Sequence, residues 1–352
     1  MALQSSGPIS LNDIATEFGG STPHSLSEYY GAGGTPSSGA ISLADFYGKA
    51  NSKDIQILMV SQGGRGGGSA TQSVAGGGGG GGLVGKFYGE SIMPGWVFEF
   101  RGSPTGNGEY YLVWDINYGL ALTGPRYLEY QAETSTQRYV KLENGGDGGS
   151  EFSGSDNTGG GGAGWIVGGP GQGSRGRGTR SFGGQGSAAI STPLGGGGGG
   201  AATNGQNAVD KAFAGNGGDG YQDDITGTNV WYGGGGGGCG GNGFAGYGGY
   251  GGAGRGAGAE QTGTGRNPQT VDAIHGTGGG GGGGGNTAGG NAGAGGAGVF
   301  MFRVPSGGCT VNLNTGTGNE VACTLETSVI SGDTIYKITP PVNKNFKGTI
   351  TF

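Results

Sequence analysis

Asp54-Ile55-Gln56-Ile57-Leu58-Met59-Val60-Ser61, followed at once by Gln62-Gly63-Gly64, is the stretch on which the reading of this chain turns. The apolar run is bounded by a glycine cluster and too short for a core helix, so it reads as a strand. What it enters is no ordinary turn. Glycine supplies 99 of the 352 residues and proline 12, just under a third of the chain together. Such a composition ordinarily means disorder, because glycine loses the most backbone entropy on folding and brings no side chain to bury. Aromatics at 9% oppose that reading, since flexible linkers rarely carry them. The glycine is expected to be packed.

Downstream of the strand, residues 54–150 alternate like an antiparallel β unit. Segments 83–88, 96–101, 109–114 and 138–142 are expected strands, separated by turns such as Pro94-Gly95 and Gly106-Asn107-Gly108. Residues 151–304 form the glycine-rich body, closing on the strand Val299-Phe300-Met301-Phe302-Arg303-Val304. Uninterrupted glycine runs occupy 76–82, 159–162, 195–200, 233–238 and 278–285. Collagen requires glycine at every third position with abundant proline, and neither holds. The remaining option is an extended left-handed helix of three residues per turn, polyglycine II in type. It has no internal hydrogen bonds, so its amides must pair with helices packed alongside. Residues 305–352 return to period-two alternation and read as a small C-terminal β module.

Residues 1–53 differ from everything that follows. Three related phrases occur, Ser10-Leu11-Asn12-Asp13-Ile14, Ser25-Leu26-Ser27-Glu28-Tyr29 and Ser42-Leu43-Ala44-Asp45-Phe46; the last two continue as Tyr30-Gly31 and Tyr47-Gly48. Serine followed three residues later by an acid is the capping-box pattern that starts a helix, and glycine after the aromatics stops it. The outer two share a lead-in, Ser5-Ser6-Gly7-Pro8-Ile9 and Ser37-Ser38-Gly39-Ala40-Ile41. Three such miniature helices are expected to bury little against one another. The expected docking residues toward a partner are therefore Leu11, Ile14, Leu26, Tyr29, Tyr30, Leu43, Phe46 and Tyr47.

Charge and chemistry exclude several classes. A formal net charge of −6 with 12% charged residues argues against nucleic acid, whose affinity rests on counterion release by Lys and Arg. The sparse Arg-Gly phrases at Arg65, Arg175, Arg177 and Arg255 do not reverse that. Cys239, Cys309 and Cys323 are too few and too spread for a disulfide scaffold. Cys309 and Cys323 could pair across a β unit or stand as buried thiols. No Cys/His cluster with zinc spacing exists, and Asp219, Asp223 and Asp224 read as loop carboxylates, so no metal or other cofactor is expected. Gly80 through Lys86 matches the spacing of a phosphate-binding loop, but Phe87 stands where Ser or Thr must reach magnesium. The histidines, His24 and His275, lack a nucleophile context. The chain is read as non-enzymatic, with no catalytic residue. No basic start, apolar leader or long apolar run is visible at Met1 or beyond, so synthesis in a cytoplasm without a signal peptide is expected.

Aromatics in the segments between glycine runs form the candidate contact surface: Tyr221, Trp231, Tyr232, Phe244, Tyr247 and Tyr250, with Trp165, Phe182 and Phe213 in the same setting. Loops of Tyr, Trp, Gly, Ser and Asn make adaptable binding surfaces at low entropic cost. The competing role is to cap the bundle and supply its apolar packing.

These features together resemble a known group. The opening, from Ser6-Gly7-Pro8-Ile9-Ser10-Leu11-Asn12-Asp13-Ile14 through Leu43-Ala44-Asp45-Phe46-Tyr47-Gly48, resembles the N-terminal segment of tail-associated and other virion proteins of tailed bacteriophages. Residues 54–304 resemble the glycine-rich domains of phage tail adhesins, with a strand entering glycine, Pro94-Gly95-Trp96-Val97, and a closing Gly293-Ala294-Gly295-Gly296-Ala297-Gly298-Val299-Phe300. The long β stretch at 96–143 and the C-terminal module depart from that pattern. The resemblance implies a virion protein, attached to other virion proteins through residues 1–53 and contacting a host surface receptor, a glycan or an outer-membrane protein. A homo-oligomer, a trimer for example, would suit it. A capsid decoration or head fibre is the alternative, and an ice-binding protein a more distant one. The expected fold is mainly β: an antiparallel β unit, a packed polyglycine-II-type body and a short helical docking segment.

Overall fold

The computed structural model describes residues 3–49, 51, 53–68, 74–92, 94–103, 109–115, 130–132, 137–149, 164–165, 194–209, 213–240, 244–257, 272–284, 292–305, 309–313 and 321–352. The fold is mainly β with antiparallel sheets. Fifteen strands follow one another among these residues: β1 (Lys53–Val60), β2 (Val74–Ala75), β3 (Val84–Ile92), β4 (Val97–Ser103), β5 (Glu109–Asp115), β6 (Tyr130–Ala132), β7 (Gln137–Glu143), β8 (Gly164–Trp165), β9 (Tyr221–Asp223), β10 (Val230–Tyr232), β11 (Val299–Val304), β12 (Thr310–Asn312), β13 (Thr324–Ile330), β14 (Asp333–Thr339) and β15 (Phe346–Thr351).

Two sheets face each other. One runs β13-β14-β11-β1-β3 and the other β12-β15-β4-β5-β7-β6. Their inner faces share one core, in which Ile55, Ile57 and Met59 of β1 and Phe300 and Phe302 of β11 meet Phe98, Phe100, Tyr110, Leu112 and Ile350 from the opposite sheet. The Tyr110 and Phe300 rings stack across the interface at 5.5 Å and 7°, an offset arrangement that adds to their area burial. Between β4 and β15, Phe346 pairs with Gly102 and Phe100 with Gly348. A Cβ at Gly102 would lie 2.3 Å from the Phe346 ring, and one at Gly348 2.3 Å from the Phe100 ring. Each ring thus covers the glycine opposite it, which is why glycine is required inside these strands.

This topology corrects the expected division of the chain. Residues 305–352 are no separate module: β14 pairs with β11 and β15 pairs with β4, so the tail supplies strands to both sheets. Nor is 54–150 a closed unit, because β1 pairs with β11 from the far side of the glycine body. The polypeptide leaves the sandwich after β1 for a first glycine stretch, returns for β3 to β7, leaves again into the rest of the glycine body, and comes back at β11.

The contiguous apolar run of β1 is explained by burial on both faces. Leu58 and Val60 point away from the sandwich core into a second cluster with Val299, Met301, Ile225 and Tyr232. The hairpin β9–β10 supplies Ile225 and Tyr232 and so covers the sheet's outer face at its glycine end. Asp223 on this hairpin is 3% exposed, pairs with Lys86 of β3 at 3.6 Å and accepts the Ile225 amide at 2.9 Å.

The glycine body repeats every three residues. In the run 76–82, Gly76, Gly79 and Gly82 donate to Gly284, Gly281 and Gly278; Gly77 and Gly80 donate to Gly149 and Gly146; Gly78 and Gly81 donate to Gly196 and Gly199. Three faces of one run thus address three different neighbours. The run 233–240 does likewise: Gly234, Gly237 and Gly240 donate to Gly251, Gly254 and Ala257, Gly235 and Gly238 to Gly218 and Gly215, and Gly236 and Cys239 to Gly79 and Gly76. Neighbouring runs lie both parallel and antiparallel. Where the lattice ends, Asn and Asp side chains take the amides instead of a carbonyl, again at three-residue spacing. Asn144 and Asp147 accept from Gln62 and Arg65, and Asn216 and Asp219 accept from Tyr247 and Tyr250. A buried amide must find an acceptor, and an edge lacking a further run finds it in a short polar side chain.

The N-terminal segment holds one α-helix, α1 (Leu11–Phe18), and single 3₁₀ turns at Leu26–Tyr29, Ala32–Gly34 and Leu43–Phe46. The three expected capping boxes form, Ser10 with Asp13, Ser25 with Glu28 and Ser42 with Asp45. The later two helices stop after one turn because Tyr30 and Tyr47 adopt extended backbone with the same angles to within 1°.

Candidate functional site

The docking residues read from the sequence divide into two sets. Ile14, Tyr29 and Phe46 occupy the same position of each phrase and are 0%, 3% and 0% exposed, packed against one another with Phe18, Leu3, Ile9 and Ile41 around them. These three are corrected from docking surface to core. The expectation that the phrases bury little against one another fails because tertiary bonds close them into a ring. The Tyr30 hydroxyl donates to the Gly39 carbonyl and the Tyr47 hydroxyl to the Gly7 carbonyl, so each tyrosine grips the same glycine of a shared lead-in. The backbone repeats the relation, Gly31 donating to Pro36 at 3.0 Å and Gly48 to Gln4 at 3.0 Å, and Leu3 donates to Lys49 at 2.7 Å to tie the two ends together. Left outside are Tyr30 at 38% and Leu43 at 37% exposure, with Leu11, Leu26 and Tyr47 half-buried.

The contact aromatics divide as well. Tyr232 is 2% exposed and its hydroxyl meets the Met301 sulfur at 3.8 Å; burial, and to a lesser degree Asp223, pushes its phenol well above the ordinary range. It belongs to the core and is corrected from the contact surface. Tyr221 is half-buried, with the Lys86 ammonium over its ring at 5.2 Å. That ammonium is raised above its ordinary value chiefly by the Tyr221 hydroxyl, with Asp223 contributing less. Phe182 lies outside the described residues, as does the side chain of Trp165.

The remaining aromatics form a row. Ala214, Gly217 and Gly220 donate to the carbonyls of Phe244, Tyr247 and Tyr250, which fixes two segments side by side with residues three apart on one face. The first rung is Phe213 stacked on Phe244 at 5.0 Å and 13°. The second is Asn216 beside Tyr247, whose ring lies 4.9 Å from the guanidinium of Arg255. The third is Asp219 beside Tyr250, with Trp231 stacked on Tyr250 at 5.5 Å and 25°. Phe213, Phe244 and Tyr250 are 55%, 45% and 38% exposed. The residues between rungs, Ala245, Gly246, Gly248 and Gly249, are buried in the lattice. Asn216 was missed by sequence reasoning. Its signal was the parallel spacing Phe213-x-x-Asn216-x-x-Asp219 and Phe244-x-x-Tyr247-x-x-Tyr250.

Other candidate chemistry dissolves in place. The glycines before Lys86 are hydrogen-bonded lattice, and Lys86 lies in β3 facing Asp223, so no backbone cradle is open to a phosphate. Among the described residues no group of His, Cys, Asp and Glu is placed to hold a metal ion, and no helix is long and apolar enough to cross a membrane. Cys239, Cys309 and Cys323 are free thiols, so the pairing left open for Cys309 and Cys323 is not made. Burial pushes the Cys323 thiol up to about 12.

No family model matches the chain, and neither a curated protein nor a solved structure matches it.

Proposed function

We propose that this chain is a non-enzymatic structural protein of a tailed-phage virion, tail-associated, that displays a host-contact surface on a rigid glycine body. The observation that carries the reading is the three-residue hydrogen-bond lattice ending in an exposed aromatic row. Each run in this reading is a polyglycine II helix, whose missing side chains allow neighbouring backbones to approach closely. The lattice offsets the large conformational cost of ordering glycine with backbone bonds worth about 1 kcal/mol net each. A stiff base with side chains only at its edge is what a contact surface needs, because its loops lose little further entropy on binding. The closed N-terminal ring fits the attachment role, presenting Tyr30 and Leu43 to other virion proteins.

The test is deletion of residues 1–49 in the producing phage, followed by mass spectrometry of purified particles and labelling of the full-length chain under the electron microscope. The expected result is tail labelling for the full-length chain and a folded, soluble body missing from particles for the deletion. Absence of the full-length chain from particles, or normal incorporation of the truncated one, refutes the assignment. Labelling on the capsid moves it to a head fibre.

A further inference from the structure

We infer that the aromatic row Phe213/Phe244, Tyr247 and Trp231/Tyr250 binds a linear, uncharged glycan lying along the glycine runs. This inference rests on the host-contact reading above and names the chemistry of the ligand. A residue rise of about 3.1 Å places successive rungs about 9 Å apart and the two stacked pairs about 19 Å apart. A ladder with a fixed repeat is matched by a polymer with a fixed repeat. The rungs supply the two things a pyranose chain needs: flat aromatic faces for the C–H faces of the rings, and, beside Tyr250, the Asp219 carboxylate as an acceptor for a hydroxyl. Asp219 engages one carboxylate oxygen with the Tyr250 amide at 3.0 Å, which leaves the other directed elsewhere. The Asn216 amide is held by the exposed Gln206 at 2.9 Å.

Two other ligand classes fit worse. A protein partner needs about 800 Å² of contiguous surface on each side, whereas the row is a single file of rings with buried alanine and glycine between them. An anionic polymer needs exposed cations. The cation that touches the row among the described residues, Arg255, is 8% exposed and stacked on Tyr247.

The test uses the fluorescently labelled full-length chain and cells of the strain on which the phage propagates, treated with periodate, which cleaves vicinal diols, or with proteinase. Binding is expected to fall about tenfold after periodate and to survive proteinase, and Phe244→Ala/Tyr250→Ala is expected to reproduce the tenfold loss. Phe244→Tyr/Tyr250→Phe, which keeps both ring faces, should bind as wild type and shows that the double alanine acts through lost faces. Loss after proteinase but not periodate makes the ligand a protein and overturns the glycan, while leaving host contact standing. Periodate-sensitive binding that ignores the double alanine overturns the ladder as its site. No binding of the wild-type chain to untreated cells overturns the inference together with the host-contact reading.

Discussion

Adding a single methyl group to the glycine lattice should cost more than it does anywhere else in this protein, and Gly235→Ala measures it. An ideal Cβ at Gly235 lies 2.1 Å from the Gly198 carbonyl oxygen and 2.6 Å from its carbon. Ordinary contact begins at 3.4 Å, so backbone, not a flexible side chain, must retreat by about 1.3 Å. That carbonyl accepts from Gly218 at 2.8 Å, and the Gly198 amide donates to Gly236 at 2.8 Å; a shift of this size loses both. Two backbone bonds at about 1 kcal/mol each, overpacking of about 1–3 kcal/mol, and a return of about 0.5–1 kcal/mol from the stiffer unfolded chain leave a net loss of about 2–4 kcal/mol. With an unfolding entropy of about 2 cal/mol/K per residue over a chain of this length, the midpoint should fall by roughly 3–6 °C. Gly68→Ala is the matched control. Its nearest neighbour is the Ala292 side chain at 3.2 Å, and it should melt at or slightly above the wild-type temperature. Calorimetry on the three proteins decides the matter. If Gly235→Ala melts with Gly68→Ala, the runs are loosely packed spacers and the lattice argument is wrong.

Phe46→Ala removes the ring that meets Phe18 and Tyr29 edge-on, each at 6.1 Å. A loss of about 3–5 kcal/mol exceeds what so small a core supplies, so hydrogen exchange over 3–49 should become fast while β1, β4, β5 and β11 stay protected. The Asp13 carboxyl is held below its ordinary value by the Ser10 side chain and then its amide, and the Asp45 carboxyl by the Ser42 amide and then its side chain. A depressed folded pKa contributes stability that is present above the ordinary carboxylate value and lost as pH falls through the folded one. The Ser10 and Ser42 amide resonances should therefore titrate together with the loss of their caps below about pH 4, a step that Asp13→Ala and Asp45→Ala remove. With iodoacetamide at neutral pH, native Cys239 and Cys323 should stay unmodified, half-buried Cys309 should react slowly, and all three should react once unfolded; a Cys309–Cys323 disulfide in the mass spectrum would contradict the free thiols.

The strands were legible because their signals are local. Asp54–Ser61 runs into glycine and Val299–Val304 emerges from it, and the observed β1 and β11 match them within a residue. The capping boxes were legible for the same reason, each being complete within four residues. What could not be read depends on partners distant in sequence. Tyr232 looks like a loop aromatic until β1 and β11 present Leu58, Val60 and Met301 to it. Ile14, Tyr29 and Phe46 look like a docking face until Tyr30 and Tyr47 close the ring by reaching Gly39 and Gly7. Residues 305–352 look like a module because alternation reports a strand but not which strand it pairs with. The aromatic row was half legible. Its residues were visible, but their alignment follows from hydrogen bonds between segments about thirty residues apart.

The distribution of side chains over the glycine body follows from one physical rule, and that rule joins the fold to the proposed role. Inside the lattice most positions facing a neighbour must be glycine, because a Cβ would fall within 1.7–2.5 Å of a backbone atom at nearly every described interior glycine; Ala75, Cys239 and Ala257 gather their small side chains in one buried cluster. A large side chain therefore stands where a face has no neighbouring run, and there an amide can lose its carbonyl acceptor as well. Asn216 and Asp219 answer that loss by accepting from the amides of Tyr247 and Tyr250. The same edge that admits the rings of Tyr247 and Tyr250 thus carries a carboxamide and a carboxylate beside them. Rings at a fixed interval, two of them with a polar side chain alongside, arise from the way the lattice terminates, and a body assembled from such runs can vary its edge residues while its interior stays largely glycine. Variation in what is bound without variation in the scaffold is the property a host-contact protein requires.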